Sequence, residues 1–105
     1  MTDFIVVLVT ASGEEEAARI GRALVEERLA ACVNIVKGLR SIYLWKGKVE
    51  DEPEVLILVK TRRQRLEQIT ARVKSLHSYT LPEIVALPVE GGSADYLGWI
   101  AQETE

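Results

Sequence analysis

Apolar residues recur along this chain with two different periods, and the switches between them mark its elements. Phe4-Ile5-Val6-Val7-Leu8-Val9 is a continuous apolar run of strand length, the pattern of a buried central strand. Thr10-Ala11-Ser12-Gly13 breaks it, and Ser12 with Glu15 three residues on reads as a capping box. Ala17, Ile20, Gly21, Leu24 and Arg28 then follow helical spacing, which predicts a helix to about Leu29 with Ile20 and Leu24 facing the core. Glu15 and Arg19, and Arg22 and Glu26, form i,i+4 pairs on its outer face. A strand begins near Cys32, is interrupted at Gly38 as by a bulge, and resumes through Ser41, Tyr43 and Trp45. Lys46-Gly47-Lys48 is the expected turn. The return strand is interrupted at Pro53, the mark of an edge or a bulge, and is again continuously apolar from Val55 to Lys60. Thr61 with Gln64 reads as a second capping box before the stripe Leu66, Ile69, Val73, Leu76 of a second helix. His77 to Pro82 is a loop, Glu83–Val89 a fourth strand, and Ser93 caps a last short helix carrying Tyr96, Leu97, Trp99 and Ile100.

The order β-α-β-β-α-β-α assigns the chain to the α+β class. Its first six elements are those of a ferredoxin-like split-βαβ sandwich, with a third helix added. Residues 1–105 read as a single domain. A fourteen-residue strand reaches ~45 Å, whereas a fifteen-residue helix reaches only ~23 Å. The hairpin between the second and third strands therefore protrudes beyond the helix layer and exposes Ile42, Tyr43, Leu44 and Trp45. An uncovered apolar hairpin is a pairing hazard unless a partner uses it, so these four residues are the expected oligomer interface.

Composition narrows the partners. The chain has 105 residues, 48% of them hydrophobic, and a formal net charge of −3, which argues against a nucleic-acid surface. No apolar run approaches the ~18–20 residues that span a bilayer. The start carries no signal-peptide pattern, and a cytoplasmic protein is expected. Cys32 is the only cysteine, so neither an intrachain disulfide nor a multi-thiolate zinc site can form within one chain. Dense charge with sparse Asn, Gln, Cys and Met is the balance of heat-adapted, thermostable proteins.

Candidate chemistry is thin. His77 is the only histidine, and one imidazole is not a metal site where copper or zinc takes three or four N/S ligands. In an antiparallel layout Val9, Ser12 and His77 share one pole, while Cys32 starts the second strand at the other. Cys32 therefore reads as a small buried apolar residue. Glu50, Asp51, Glu52 and Glu54 lack calcium-loop spacing and read as a solvated edge that discourages aggregation. Arg62, Arg63 and Arg65 oppose the dipole at the start of the second helix, so carboxylates such as Glu67 opposite Arg63, or an anion, should offset them. With one His and one Cys there is no nucleophile–base–orienter set, and an enzyme is not expected.

Ala31-Cys32-Val33-Asn34-Ile35, Tyr43-Leu44-Trp45-Lys46-Gly47-Lys48-Val49-Glu50, Lys60-Thr61, His77-Ser78-Tyr79-Thr80-Leu81-Pro82-Glu83, Leu87-Pro88-Val89 and Tyr96-Leu97-Gly98-Trp99 together resemble the CutA family of divalent-cation tolerance proteins. The resemblance runs from the first strand to the last helix. It implies a cytoplasmic ferredoxin-like homotrimer built by strand pairing, with a role in tolerance to copper and other divalent metals and no established catalytic activity. The family's copper ligands, a cysteine and a His-His pair, fall on Val9, Leu76 and His77, of which only His77 keeps a donor. The resemblance thus implies at most a weakly bound divalent metal at His77, and none required. It also implies likeness to the trimeric PII signalling proteins. In that alternative an aromatic-rimmed cleft between subunits, with Ser12, Tyr79, Arg62 and Arg63 as candidate lining, takes a small anionic ligand and signals to a protein partner.

Overall fold

In the computed structural model, which describes residues 3–105, Phe4–Ala11 forms β1, Glu14–Glu26 α1, Cys32–Trp45 β2 and Lys48–Arg62 β3. A 3-10 turn, Arg63–Arg65, leads into α2 (Leu66–Leu76), followed by β4 (Ile84–Pro88) and α3 (Ala94–Glu103). The sheet order is β2-β3-β1-β4 and all neighbours are antiparallel, so β3 lies between β2 and the strand that precedes it through α1.

Alternation along β1 and β3 decides where the core sits. Ile5, Val7, Val9, Val55, Ile57 and Val59 point to one face and are sealed there by Ala17, Ile20 and Leu24 of α1 and Ile69 and Val73 of α2. Leu66 and Leu76 complete the α2 stripe from the edge of that cluster. The helix layer lies close on the sheet at Gly21, where a Cβ would stand 2.8 Å from Val33 Cγ1. The other sheet face is less covered: Val36, Val85 and Leu87 are exposed there, and Leu8 and Leu58 are half-buried.

The element boundaries moved where capping chemistry differed from the expected kind. α1 stops at Glu26, short of Leu29, because Arg28 adopts φ 61° and its N–H bonds Val25 O while the Leu29 N–H bonds Leu24 O. This is a Schellman ending built without glycine, so the usual glycine stop signal is missing. Neither expected capping box forms. Gly13 is the N-cap of α1, and the Ser12 hydroxyl donates to Glu16 instead (3.2 Å). Thr61 remains in β3, fully buried, with its hydroxyl donating to Leu29 O at 2.6 Å. The register shift between Val36 and Leu39 is the bulge expected at Gly38, whose φ is 85°. Lys46 (φ 52°) and Gly47 (φ 78°) make a two-residue turn of the primed kind that matches strand twist.

Candidate functional site

The hairpin outruns its cover. β3 pairs with β1 only from Val55 to Arg62, so Lys48–Glu54 has β2 on one side and an unpaired edge on the other. Pro53 sits in that stretch, where a missing N–H is tolerated. The molecule is 44 Å long and 25 by 23 Å across, close to the reach of one fourteen-residue strand. Ile42 is 64% and Leu44 71% exposed, with Val49 beside them. Because pairs Leu44–Val49 and Tyr43–Glu50 alternate, Ile42, Leu44 and Val49 occupy one face of the hairpin, and Tyr43, Trp45, Glu50, Glu52 and Glu54 the other.

At the base of the protruding part, the end of β1 meets the loop after α2. His77 ends α2, its N–H bonding Val73 O, and its side chain is completely buried. Nδ1 accepts from the Tyr79 N–H at 3.1 Å, which fixes the neutral tautomer with Nε2–H donating to Thr10 O at 2.7 Å. Both ring nitrogens are thereby committed. Glu16, from the first turn of α1, accepts from the Ser78 N–H (2.7 Å) and from Ser12 Oγ. Burial works against its charged form, but the hydrogen bonds from Ser78 and the Ser12 hydroxyl outweigh it and hold the carboxyl below its ordinary 4.5. A depressed folded-state value means stability present above the ordinary value and lost as pH falls through the lower one. Glu16→Gln should therefore lower stability near neutrality and flatten the acid limb of a pH–stability curve, the two proteins converging at low pH; an unchanged acid limb would count against this role.

Tyr79 carries the network outward. Its ring stacks obliquely on His77 at 4.6 Å and its hydroxyl donates to Glu54 Oε2 at 2.7 Å. Burial, and then the Glu54 bond, push that hydroxyl well above the ordinary range. Glu54 is 9% exposed, so the solvated-edge reading of the carboxylate run fails at this one residue, where the Tyr79 loop folds over it. Tyr43, Trp45, Glu54, Tyr79, Pro82 and Glu83 surround an open cleft of about 680 Å³. Glu83 is held above the usual carboxyl range by burial and by the charge of Glu54.

The remaining candidates lie elsewhere. One chain does not bring the four cleft candidates together: Ser12 and Tyr79 flank the end of β1, whereas Arg62 pairs with Phe4 at its start, with Arg63 next to it. At that far pole Arg62 donates to Thr104 Oγ1 and O (2.9 and 2.7 Å), and Arg65 to Thr104 O (2.8 Å). The Thr104 carbonyl, at the C-cap of α3, thus faces the Arg62 and Arg65 guanidiniums where an anion or carboxylate was expected. Cys32 pairs with Lys60, also far from His77, and is half-buried because it faces the side of the edge strand away from α1 and α2. Val9 is sealed in the core and Leu76 packs against it; neither has a donor atom. With His77 committed at both nitrogens, the residues at the family's ligand positions do not fit a resident copper ion. Among the described residues no three His, Cys, Asp or Glu side chains converge on a metal-sized point. Glu16 and Thr10 were missed by sequence reasoning, and Glu54 was read only as part of a solvated carboxylate run; for Glu16 the available signal was its four-residue spacing from Ser12.

Residues 5–103 match the family model described as CutA1 divalent ion tolerance protein. The "Divalent-cation tolerance protein CutA" of Thermus thermophilus is 56% identical over 99 residues, covering 94% of this chain and 96% of that one. The solved structure of a "Divalent cation tolerance protein (Cut A1)" from the same organism superimposes with a TM-score of 0.95 at 54% identity, over 97% of this chain and 99% of that chain. "Protein CutA 1, chloroplastic" of Oryza sativa subsp. japonica is 45% identical over 100 residues, 95% of this chain but 56% of that protein. The chain thus spans nearly all of the bacterial relative and little more than half of the plant one. No helix among the described residues is long and apolar enough to cross a membrane.

Proposed function

Because the chain belongs to the CutA1 divalent ion tolerance family, we propose that it acts as a non-enzymatic homotrimer in tolerance of, and response to, divalent metal ions such as copper. One observation carries this reading: a protruding hairpin with Ile42, Leu44 and Val49 bare on one face and an unpaired β3 edge beside them. Strand pairing and apolar burial with two further copies would satisfy both. Tyr43 and Trp45, on the opposite face of the same hairpin, complete the expected interface. The metal contact in this reading is weak, shared between subunits and not required for folding, since the only histidine is spent on the fold. A cytoplasmic setting fits a lone thiol, although the rice relative is named chloroplastic, so compartment varies among relatives.

The alternative, a PII-like module that takes a small anion in a cleft between subunits and signals to a protein partner, meets a charge problem on this chain's side of such a cleft. Glu54 and Glu83 line the cleft and Glu50 and Glu52 share its hairpin face, so an anion there would be repelled. Light scattering should return a mass three times the 11.7 kDa of one chain; the mass of one chain would reject the trimer. Calorimetry of metal-free protein with copper should show only weak binding. Tight binding lost in His77→Ala would instead establish that residue as a true ligand, and binding of a nucleotide or carboxylate metabolite without any metal response would favour the PII-like reading.

A further inference from the structure

Of the ten residues of α3, all of them described, only Ile100 is buried. One apolar side chain is little to hold a helix against the entropy of ordering ten residues. Elements near a chain end with so little packing ordinarily fray. Yet Thr104, just past the helix, is completely enclosed, and its hydroxyl donates to Ile100 O at 2.7 Å. Three guanidiniums from other segments converge on this end. Arg62, the last residue of β3, donates to Thr104 Oγ1 and O, and Arg65, in the 3-10 turn, donates to the same carbonyl. Arg28, just after α1, donates to Gln102 O at 2.9 Å and lies 3.7 Å from Glu103 Oε1. Arg28 also adopts φ 61°, where glycine would sit without strain. An arginine at that position has a use that glycine would forfeit, its bond to α3.

The helix lies on the sheet face opposite α1 and α2. Lys60 and Arg62 alternate with the core-facing Val59 and Thr61, and the Lys60 ammonium stands 5.8 Å from the centroid of the Tyr96 ring. The other end of α3 is loosely tied. Ala94, Asp95 and Tyr96 are exposed, and the Tyr96 N–H reaches the Ser93 hydroxyl only at 3.4 Å. Glu90, Gly91 and Gly92, which lead into it, are exposed as well, and two adjacent glycines give the backbone wide freedom. We propose that α3 is a latched strap. It opens as one unit about Gly91–Gly92 when Arg28, Arg62 and Arg65 release its C-terminal turn, while the sheet stays folded. Opening uncovers Lys60 and parts Arg62 and Arg65 from Thr104, so the strap controls access to this basic end of the sheet face. Every contact of the latch is made within one chain, so the strap rests neither on trimer formation nor on any metal contact.

Hydrogen exchange read by mass spectrometry on the full-length protein follows the strap directly. The amides of α3 should exchange together, at least about tenfold faster than those of β1 and β3. Arg62→Gln combined with Arg65→Gln should speed α3 by about tenfold more and leave β1 unchanged, because charge-assisted bonds to Thr104 are lost. That pair could disturb the end of β3, so Arg28→Gly supplies an independent variant. Glycine relieves the left-handed backbone there, so α1 should keep its ending and its protection, yet α3 should still exchange several-fold faster. Wild-type α3 exchanging at the rate of β1 and β3 would overturn the proposal, since the helix would then open only with the whole domain. Unchanged α3 exchange in both variants, or acceleration spread equally over α1, the sheet and α3, would overturn it as well.

Discussion

Leu44→Asp should separate the assembly into single chains. In one chain Leu44 is 71% exposed and outside the core cluster, so the circular dichroism of the single chain should stay unchanged. In a homotrimer the substitution places three carboxylates against apolar surface at once. Desolvating each costs several kcal/mol, enough to weaken association by about a hundredfold or more. The expected readout by light scattering is a fall from three chain masses to one at micromolar concentration. Trp45→Glu should act in the same direction. A variant that keeps the trimer mass would show that this hairpin face is not buried between copies; one that loses its secondary structure would show instead that it supports the single-chain fold.

His77→Ala should cost about 2–4 kcal/mol of folding stability. The imidazole side chain is wholly enclosed and joins three segments: the end of β1 through Thr10 O, the loop through the Tyr79 N–H, and the Tyr79 ring that reaches Glu54. Its removal leaves a cavity and two backbone groups without their partners. Denaturant midpoints must be compared at one protein concentration, because assembly stabilises by mass action. A change below about 0.5 kcal/mol would return His77 to the role of a spare surface ligand, the role its position relative to the family suggested.

The hairpin shows how far the residues alone could be read. Its strand lengths follow from local period, its bulge from Gly38 and its turn from Gly47, because each depends on a few consecutive residues and the backbone angles they allow. The core stripes of α1 and α2 were equally legible, since Ile20, Leu24, Ile69 and Val73 repeat at helical spacing. The caps were less so. Arg28 in a left-handed conformation and a hydroxyl of Ser12 turned toward Glu16 are choices imposed by neighbours distant in sequence or by competition among nearby acceptors.

The sequence by itself determined the fold class, the order of elements, the excess length of the hairpin and the poverty of metal donors at Val9, Leu76 and His77. Those are properties of periodicity, chain reach and side-chain identity, which need no knowledge of contacts. Only the tertiary structure decided that His77 is committed to backbone partners 67 residues away in Thr10 and two away in Tyr79. It also decided that Glu54 is buried under the Tyr79 hydroxyl, and that Arg62 and Arg65 hold the Thr104 carbonyl at the end of α3. Each of these depends on which segments the sheet order brings together, and a hydrogen bond formed across the fold leaves no periodic trace in the chain.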